Sequence, residues 1–163
     1  MNISDRSTDH EDVAGAAPGE DGWIGFFNGE WKMTRVIRDY LGAREGDAKG
    51  VAIFSRAETP QTLHCRENML VDYGGRRWPA EQELHWRFLN AWPELYFADG
   101  RFFCAMHLER NAEYWRADLV HECGEDFYKG EIEIANENFW RLVWRVKGPR
   151  KDYALETTFE RQR

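Results

Sequence analysis

His121, Cys123, Asp126 and Tyr128 are the side chains whose types and spacing could do chemistry. They fall within His121-Glu122-Cys123-Gly124-Glu125-Asp126-Phe127-Tyr128. This segment reads as a hairpin with Gly124-Glu125 as its two-residue loop. Gly at the first loop position suits a type II′ turn, because Gly accepts positive φ without steric cost. Cys123 then pairs with Asp126, and His121 with Tyr128, so all four share one face. The same face continues as Leu119 and Ala117 on one strand and Gly130, Ile132 and Ile134 on the other. Reactive groups at the end of an apolar face read as the rim of an enclosed cavity.

Several chemistries suit such a set. His121 and Asp126 have the types needed for acid–base catalysis by a cofactor-free isomerase, cyclase or hydrolase. His121 has an equally plain structural use, donating a hydrogen bond to Tyr128 or Asp126. Cys123 as a nucleophile with His121 as its base is disfavoured, since residues two apart on a strand stand about 7 Å apart. A zinc site is disfavoured because none of the usual Cys/His spacings is present. Haem on His121 or His107 is conceivable, but nothing in the spacing selects for it. No Gly-rich phosphate loop precedes a helix. The expectation is no cofactor and no metal.

The elements that must position these groups are strands. From residue 29 onward the apolar period is two rather than 3.6, as in Glu81–Phe88 and Phe139–Val146. Ten strands are predicted, over 30–38, 48–56, 62–72, 80–89, 93–98, 101–108, 114–123, 126–135, 138–147 and 151–161. An open sheet of ten sequential hairpins would leave two edges, and closing it into an up-and-down barrel removes both. The fold class is therefore all-β, an antiparallel barrel wide enough to hold a small ligand. Trp23, Phe26 and Phe27 read as a short turn or helical plug at the domain entrance. Residues 1–20 read as a disordered acidic tail and 21–163 as one barrel domain.

Alternation assigns an interior that is mostly aromatic and aliphatic. Trp86, Trp140 and Trp144 are expected as cavity walls, and Phe102 and Gln82 are expected to point inward. Arg35 and Glu67 also face inward, either paired with each other or in contact with a ligand. If strands alternate up and down, the loops after every second strand share one mouth. Those loops bring in residues 72–78, 97–101, 123–126 and 148–152. Lys151 and Arg150 at that mouth could take an anionic group, with Tyr153 beside them.

Composition limits the partners. The formal charge is −7, and residues 1–22 hold six acids against one Arg. That balance argues against nucleic acid. No apolar run approaches the roughly 20 residues of a membrane helix, and no apolar signal region opens the chain. Three cysteines, Cys65, Cys104 and Cys123, make no disulfide framework and suit a reducing cytoplasm.

His121-x-Cys-Gly-x-Asp-x-Tyr-x-Gly130 is followed by Trp140-x-x-x-Trp144-x-Val-x-Gly-Pro-Arg-Lys-Asp-Tyr153. With Gly29-x-Trp31, Gly50-x-Ala-x-Phe54 and Phe97-x-Asp-Gly-Arg101, this pattern resembles a bacterial family of unknown function, domain 6314, over residues 26–161. The chain departs from that pattern at His64, Gln82 and Leu84. The resemblance implies a lipocalin-like barrel and brings no activity with it. Gly29-Glu30-Trp31 on the first strand and Arg161 on the last also resemble the calycin barrels, in which the cation lies over the indole. These readings converge on a barrel that binds a small, partly apolar molecule, with room at the mouth cations for an anionic group. The alternatives are the cofactor-free enzyme and a solid barrel that docks a protein. The polar contacts expected of a ligand are His121, Cys123, Asp126, Tyr128, Arg35, Glu67, Lys151 and Tyr153.

Overall fold

The computed structural model describes residues 21–89 and 92–163; the tail expected over residues 1–20 lies outside them. A six-residue helix, α1 (Gly22–Phe27), precedes eleven strands. These are β1 (Gly29–Asp39), β2 (Arg44–Arg56), β3 (Thr62–Tyr73), β4 (Arg76–Arg87), β5 (Glu94–Phe97), β6 (Phe102–Ala105), β7 (Glu109–Arg110), β8 (Trp115–Cys123), β9 (Asp126–Asn136), β10 (Phe139–Gly148) and β11 (Lys151–Arg161). Their hydrogen-bonded order is β6-β5-β4-β3-β2-β1-β11-β10-β9-β8-β7, antiparallel at every pairing. The first and last strands meet, with Trp31 opposite Arg161, so the sheet curls round into a barrel. Its two ends are β6 and β7, and β6 lies alongside β8 across a seam.

The plugged end is fixed by a small set of contacts. Gly29 sits at φ 121°, a value that L side chains rarely adopt. This lets the chain turn from α1 into β1. The Trp31 indole N–H donates to the Phe27 carbonyl at 2.9 Å. Arg161 lies 4.1 Å from the centre of the Trp31 ring. It also donates to the carbonyls of Phe26 at 2.6 Å, Glu137 at 2.9 Å and Asn28 at 3.3 Å. One guanidinium thus satisfies backbone acceptors at the end of α1 that the helix itself leaves free. A cation over an indole adds about 0.5–2 kcal/mol. The calycin-like Gly-x-Trp and terminal Arg are therefore in place.

Above this clamp the interior is packed with aromatic rings. Phe27, Trp31, Phe54, Trp86, Trp140 and Phe159 are all buried. Trp140 stacks on Phe159 at 3.7 Å, and Phe27 meets its ring edge-on at 5.4 Å. Rings of this size dominate the energetics of a small core.

Alternation fails beside the seam. β5 and β6 hold only four residues each, and the register slips between Leu95 and Tyr96, so that Tyr96 faces Phe102 while Leu95 faces Cys104. The extra residue at this bulge reverses the phase. Phe102, expected inside, is 53% exposed. Phe103 goes in instead and packs on Phe97 and Trp144. The short β5 pairs with β4 only over Leu84–Arg87, so the wall is low beside the first half of β4. Gln82, also expected inside, is exposed there.

Candidate functional site

The predicted hairpin forms with the predicted register: Cys123 opposite Asp126, His121 opposite Tyr128, Leu119 opposite Gly130. Gly124 has φ 62°, while Glu125 keeps negative φ, as a type II′ turn requires. The four side chains then diverge. Cys123 is exposed. His121 Nδ1 donates to the Phe103 carbonyl across the seam at 2.9 Å, and its ring packs among Phe97, Phe103 and Tyr128. Asp126 binds the Lys151 ammonium at 2.6 Å. The Tyr128 hydroxyl accepts a second bond from the same ammonium at 3.1 Å.

At the end of the barrel opposite α1 a cavity of about 500 Å³ opens. Its apolar lining comes from Ile37, Leu41, Val71, Tyr73, Trp78, Tyr153 and Leu155. Four charged residues complete it: Asp39, Arg150, Lys151 and Asp152. These residues come from the ends of β1, β3 and β11, the start of β4, and the β1–β2 and β10–β11 turns. The alternating topology thus gathers those loops at one mouth. Ile37 and Val71 belong to the inward faces of β1 and β3 that also carry, nearer the plug, Arg35 two residues from Ile37 and Glu67 four residues from Val71.

Arg35 and Glu67 form an ion pair at 2.8 Å, each 12% exposed. The guanidinium also donates to Thr157 Oγ1 at 2.8 Å and approaches the Met69 sulfur at 3.4 Å. Of the two uses the sequence allowed for this pair, the structure shows each residue engaged with the other. Two of the expected walls, Trp86 and Trp140, belong to the packed aromatic cluster rather than to the cavity lining, because α1 fills that end. Trp144 covers Gly130 and touches Phe103. Of the residues singled out from sequence, Arg150, Lys151 and Tyr153 line the cavity.

The charges at the mouth are mostly spent on one another. Asp39 accepts from the Tyr73 hydroxyl at 2.5 Å and from the backbone N–H groups of Leu41 and Gly42, both at 3.0 Å. The Tyr73 bond and then the Gly42 bond hold its carboxyl below the usual range, and the same carboxylate pushes Tyr73 up. Asp152 pairs with Arg145. Lys151 is held charged by Asp126 and then Tyr128, which raise its pKa. Burial, with Tyr128 beside it, pushes Tyr153 up to about 12. Arg150 is exposed and makes no hydrogen bond, ion pair or ring contact among the described residues.

Arg150 and Asp152 came from a mouth loop read off the topology. Tyr73 and Trp78 likewise belong to the mouth loop 72–78; Asp39 lines the cavity with no spacing to mark it, and only its position at a strand end could have found it. Among the described residues no group of three or more His, Cys, Asp or Glu side chains is placed to hold a metal ion. Among the same residues no helix is long and apolar enough to cross a membrane.

The fold has solved counterparts. The S-type phycobiliprotein lyase CPES from Guillardia theta superposes with a TM-score of 0.58 at 9% identity, covering 86% of this chain and 91% of that one. A redesigned β barrel, mFAP1, bound to DFHBI gives 0.44 at 14% identity, covering 85% and 97%. A protein of unknown function from the DUF3598 family of Nostoc punctiforme gives 0.49 at 8% identity, covering 85% of this chain and 49% of that one. At 9% identity the likeness to the lyase concerns the fold alone. No curated protein matches the chain. The Gly-x-Trp start, the 121–130 hairpin and the 140–153 segment all lie within a match over residues 27–161, by which the chain belongs to the family of unknown function DUF6314.

Proposed function

We propose that this barrel binds a small, partly apolar molecule in the mouth cavity. The observation that carries the reading is the cavity itself. Its volume of about 500 Å³ falls in the range typical of small-molecule sites, about 300–1,000 Å³. Its walls are aliphatic and aromatic with a few polar groups to one side, as such sites require. A barrel packed solid for protein docking would have filled this end as α1 fills the other. Acid–base catalysis by His121 and Asp126 draws less support, since each is engaged by a structural partner and neither lines the cavity.

The test is titration of the full chain with N-phenyl-1-naphthylamine, a neutral apolar fluorophore. Saturable one-to-one binding is expected. Val71→Trp, which fills the cavity from β3, should abolish it while thermal unfolding stays cooperative. Absence of saturable binding to the unsubstituted chain would overturn the reading.

A further inference from the structure

We infer that the molecule taken by this cavity is an organic anion, with Arg150 as the anchor for its carboxylate or sulfonate. The inference rests on the ligand-binding reading and specifies the ligand's charge. It comes from the partners of each charge around the mouth. Asp39 is saturated by a hydroxyl and two backbone N–H groups. Asp152 is neutralised by Arg145. Lys151 is neutralised by Asp126, although two acceptors leave one of its three N–H donors unspent. Arg150 alone among the four charged lining residues has no partner. Asp39 keeps its negative charge but has its acceptor sites largely occupied, so the unspent hydrogen-bonding capacity at the cavity lies on cationic donors, those of Arg150 and the third N–H of Lys151.

Geometry adds a direction. Arg150, Lys151 and Tyr153 all belong to the β10–β11 turn and the start of β11. Ile37, Val71 and Trp78 come from β1, β3 and β4. The cationic donors thus come from the β10–β11 turn and the first residue of β11, while the apolar surface comes from Ile37, Val71 and Trp78 and from Leu155 farther along β11, which fits a ligand with one charged end. A guanidinium offers paired N–H donors that match the two oxygens of a carboxylate. A cationic ligand would meet acids that already have their partners and an arginine that repels it. The chain as a whole is acidic at −7, so long-range attraction does not explain anion capture, and the local donors must supply the selectivity.

Two probes of similar ring structure separate the outcomes. 1-Anilinonaphthalene-8-sulfonate carries the anion; N-phenyl-1-naphthylamine lacks it. The sulfonate is expected to bind more tightly. Arg150→Gln should weaken it by roughly five- to tenfold, the size of a partly solvated charge-assisted contact, and leave the neutral probe unchanged. Raising salt should weaken only the sulfonate. If the neutral probe binds but the sulfonate gains nothing and Arg150→Gln changes neither, the anion assignment is wrong and the ligand-binding reading stands. If neither probe binds, the ligand-binding reading is itself wrong. A matching loss of both probes in Arg150→Gln would assign Arg150 to the shape of the mouth and overturn its role as an anchor.

Discussion

The imidazole Nδ1 of His121 lies 2.9 Å from the carbonyl oxygen of Phe103. No backbone ladder joins β6 to β8 among the described residues. At this height a side chain takes the place of a strand-to-strand hydrogen bond, so His121 acts as a latch on the seam. A carbonyl accepts only, so Nδ1 carries the proton. Removing the latch leaves an acceptor partly buried under Phe97 and Phe103. His121→Ala is expected to cost roughly 1–2 kcal/mol, the usual penalty for an orphaned group. His121→Asn, whose amide N–H can occupy the Nδ1 position, should recover part of it. Chemical denaturation measures the cost, and hydrogen exchange should rise first in β6 and the second half of β8. An unchanged exchange pattern in His121→Ala would remove the latch.

The seam also shows where the sequence stopped being informative. Antiparallel half-buried strands leave a period-two trace, so the 121–128 register and the β1–β11 closure were legible. A bulge leaves no such trace. The extra residue on β6, Phe103, turned inward where Phe102 was expected, and its carbonyl, rather than Tyr128 or Asp126, takes the His121 hydrogen bond. Facing inward also does not mean facing a cavity. Alternation gave Trp86 and Trp140 their face, but whether that level of the barrel is open or filled depends on α1, which lies far away in sequence. The mouth was legible as a set of loops. Its charge pattern was not, because pairings such as Arg145 with Asp152 depend on side-chain positions.

The Arg35–Glu67 pair sits below the cavity walls, two residues from Ile37 on β1 and four from Val71 on β3, with each side chain only 12% exposed. Breaking it leaves one buried charge without its counter-ion, which costs about 3–5 kcal/mol. Glu67→Ala and Arg35→Ala should each lose that much by urea denaturation. Arg35→Met with Glu67→Leu should lie close to the unsubstituted chain, because an apolar pair avoids the desolvation of two ions. If the double variant is as unstable as either single one, the pair contributes stability beyond satisfying its own charges.

Trp144 lies directly across from Gly130 on β9. A Cβ added at Gly130 would stand 2.8 Å from the Trp144 ring and 3.0 Å from Leu119 Cβ. The indole uses the space that a side chain would fill. Gly130→Ala is therefore expected to destabilise by about 1–3 kcal/mol, as overpacking does. Pairing it with Trp144→Leu should return part of that loss in a double-mutant cycle.

The three thiols differ in access and ionisation. Burial pushes Cys104 up to about 12 and Cys65 well above the ordinary thiol range, with Glu67 adding to the latter. Cys123 is exposed beside the hairpin turn. Thiolate is the reacting species. A thiol-directed reagent at neutral pH should therefore modify Cys123 rapidly and the other two only after unfolding. Mass spectrometry should find a single adduct in the folded protein and three in denaturant, with none fast in Cys123→Ser.

Tyr73 and Asp39 bind each other across β3 and β1, so one hydrogen bond affects stability at both ends of the pH scale. On the acid side the folded carboxyl of Asp39 is below its ordinary 3.8. As pH falls through and below that value the unfolded chain takes the proton first, and stability drops. On the alkaline side Tyr73 is raised above its ordinary 10.0, and Tyr153 is raised to about 12. Between about 10 and 12 the unfolded chain releases phenolic protons that the folded chain keeps, so stability falls as pH rises. Tyr73→Phe should flatten both limbs, and Tyr153→Phe only the alkaline one. Urea midpoints measured across both limbs check the signs. A Tyr153→Phe variant that follows the parent through the alkaline window would show that the buried phenol does not drive that loss.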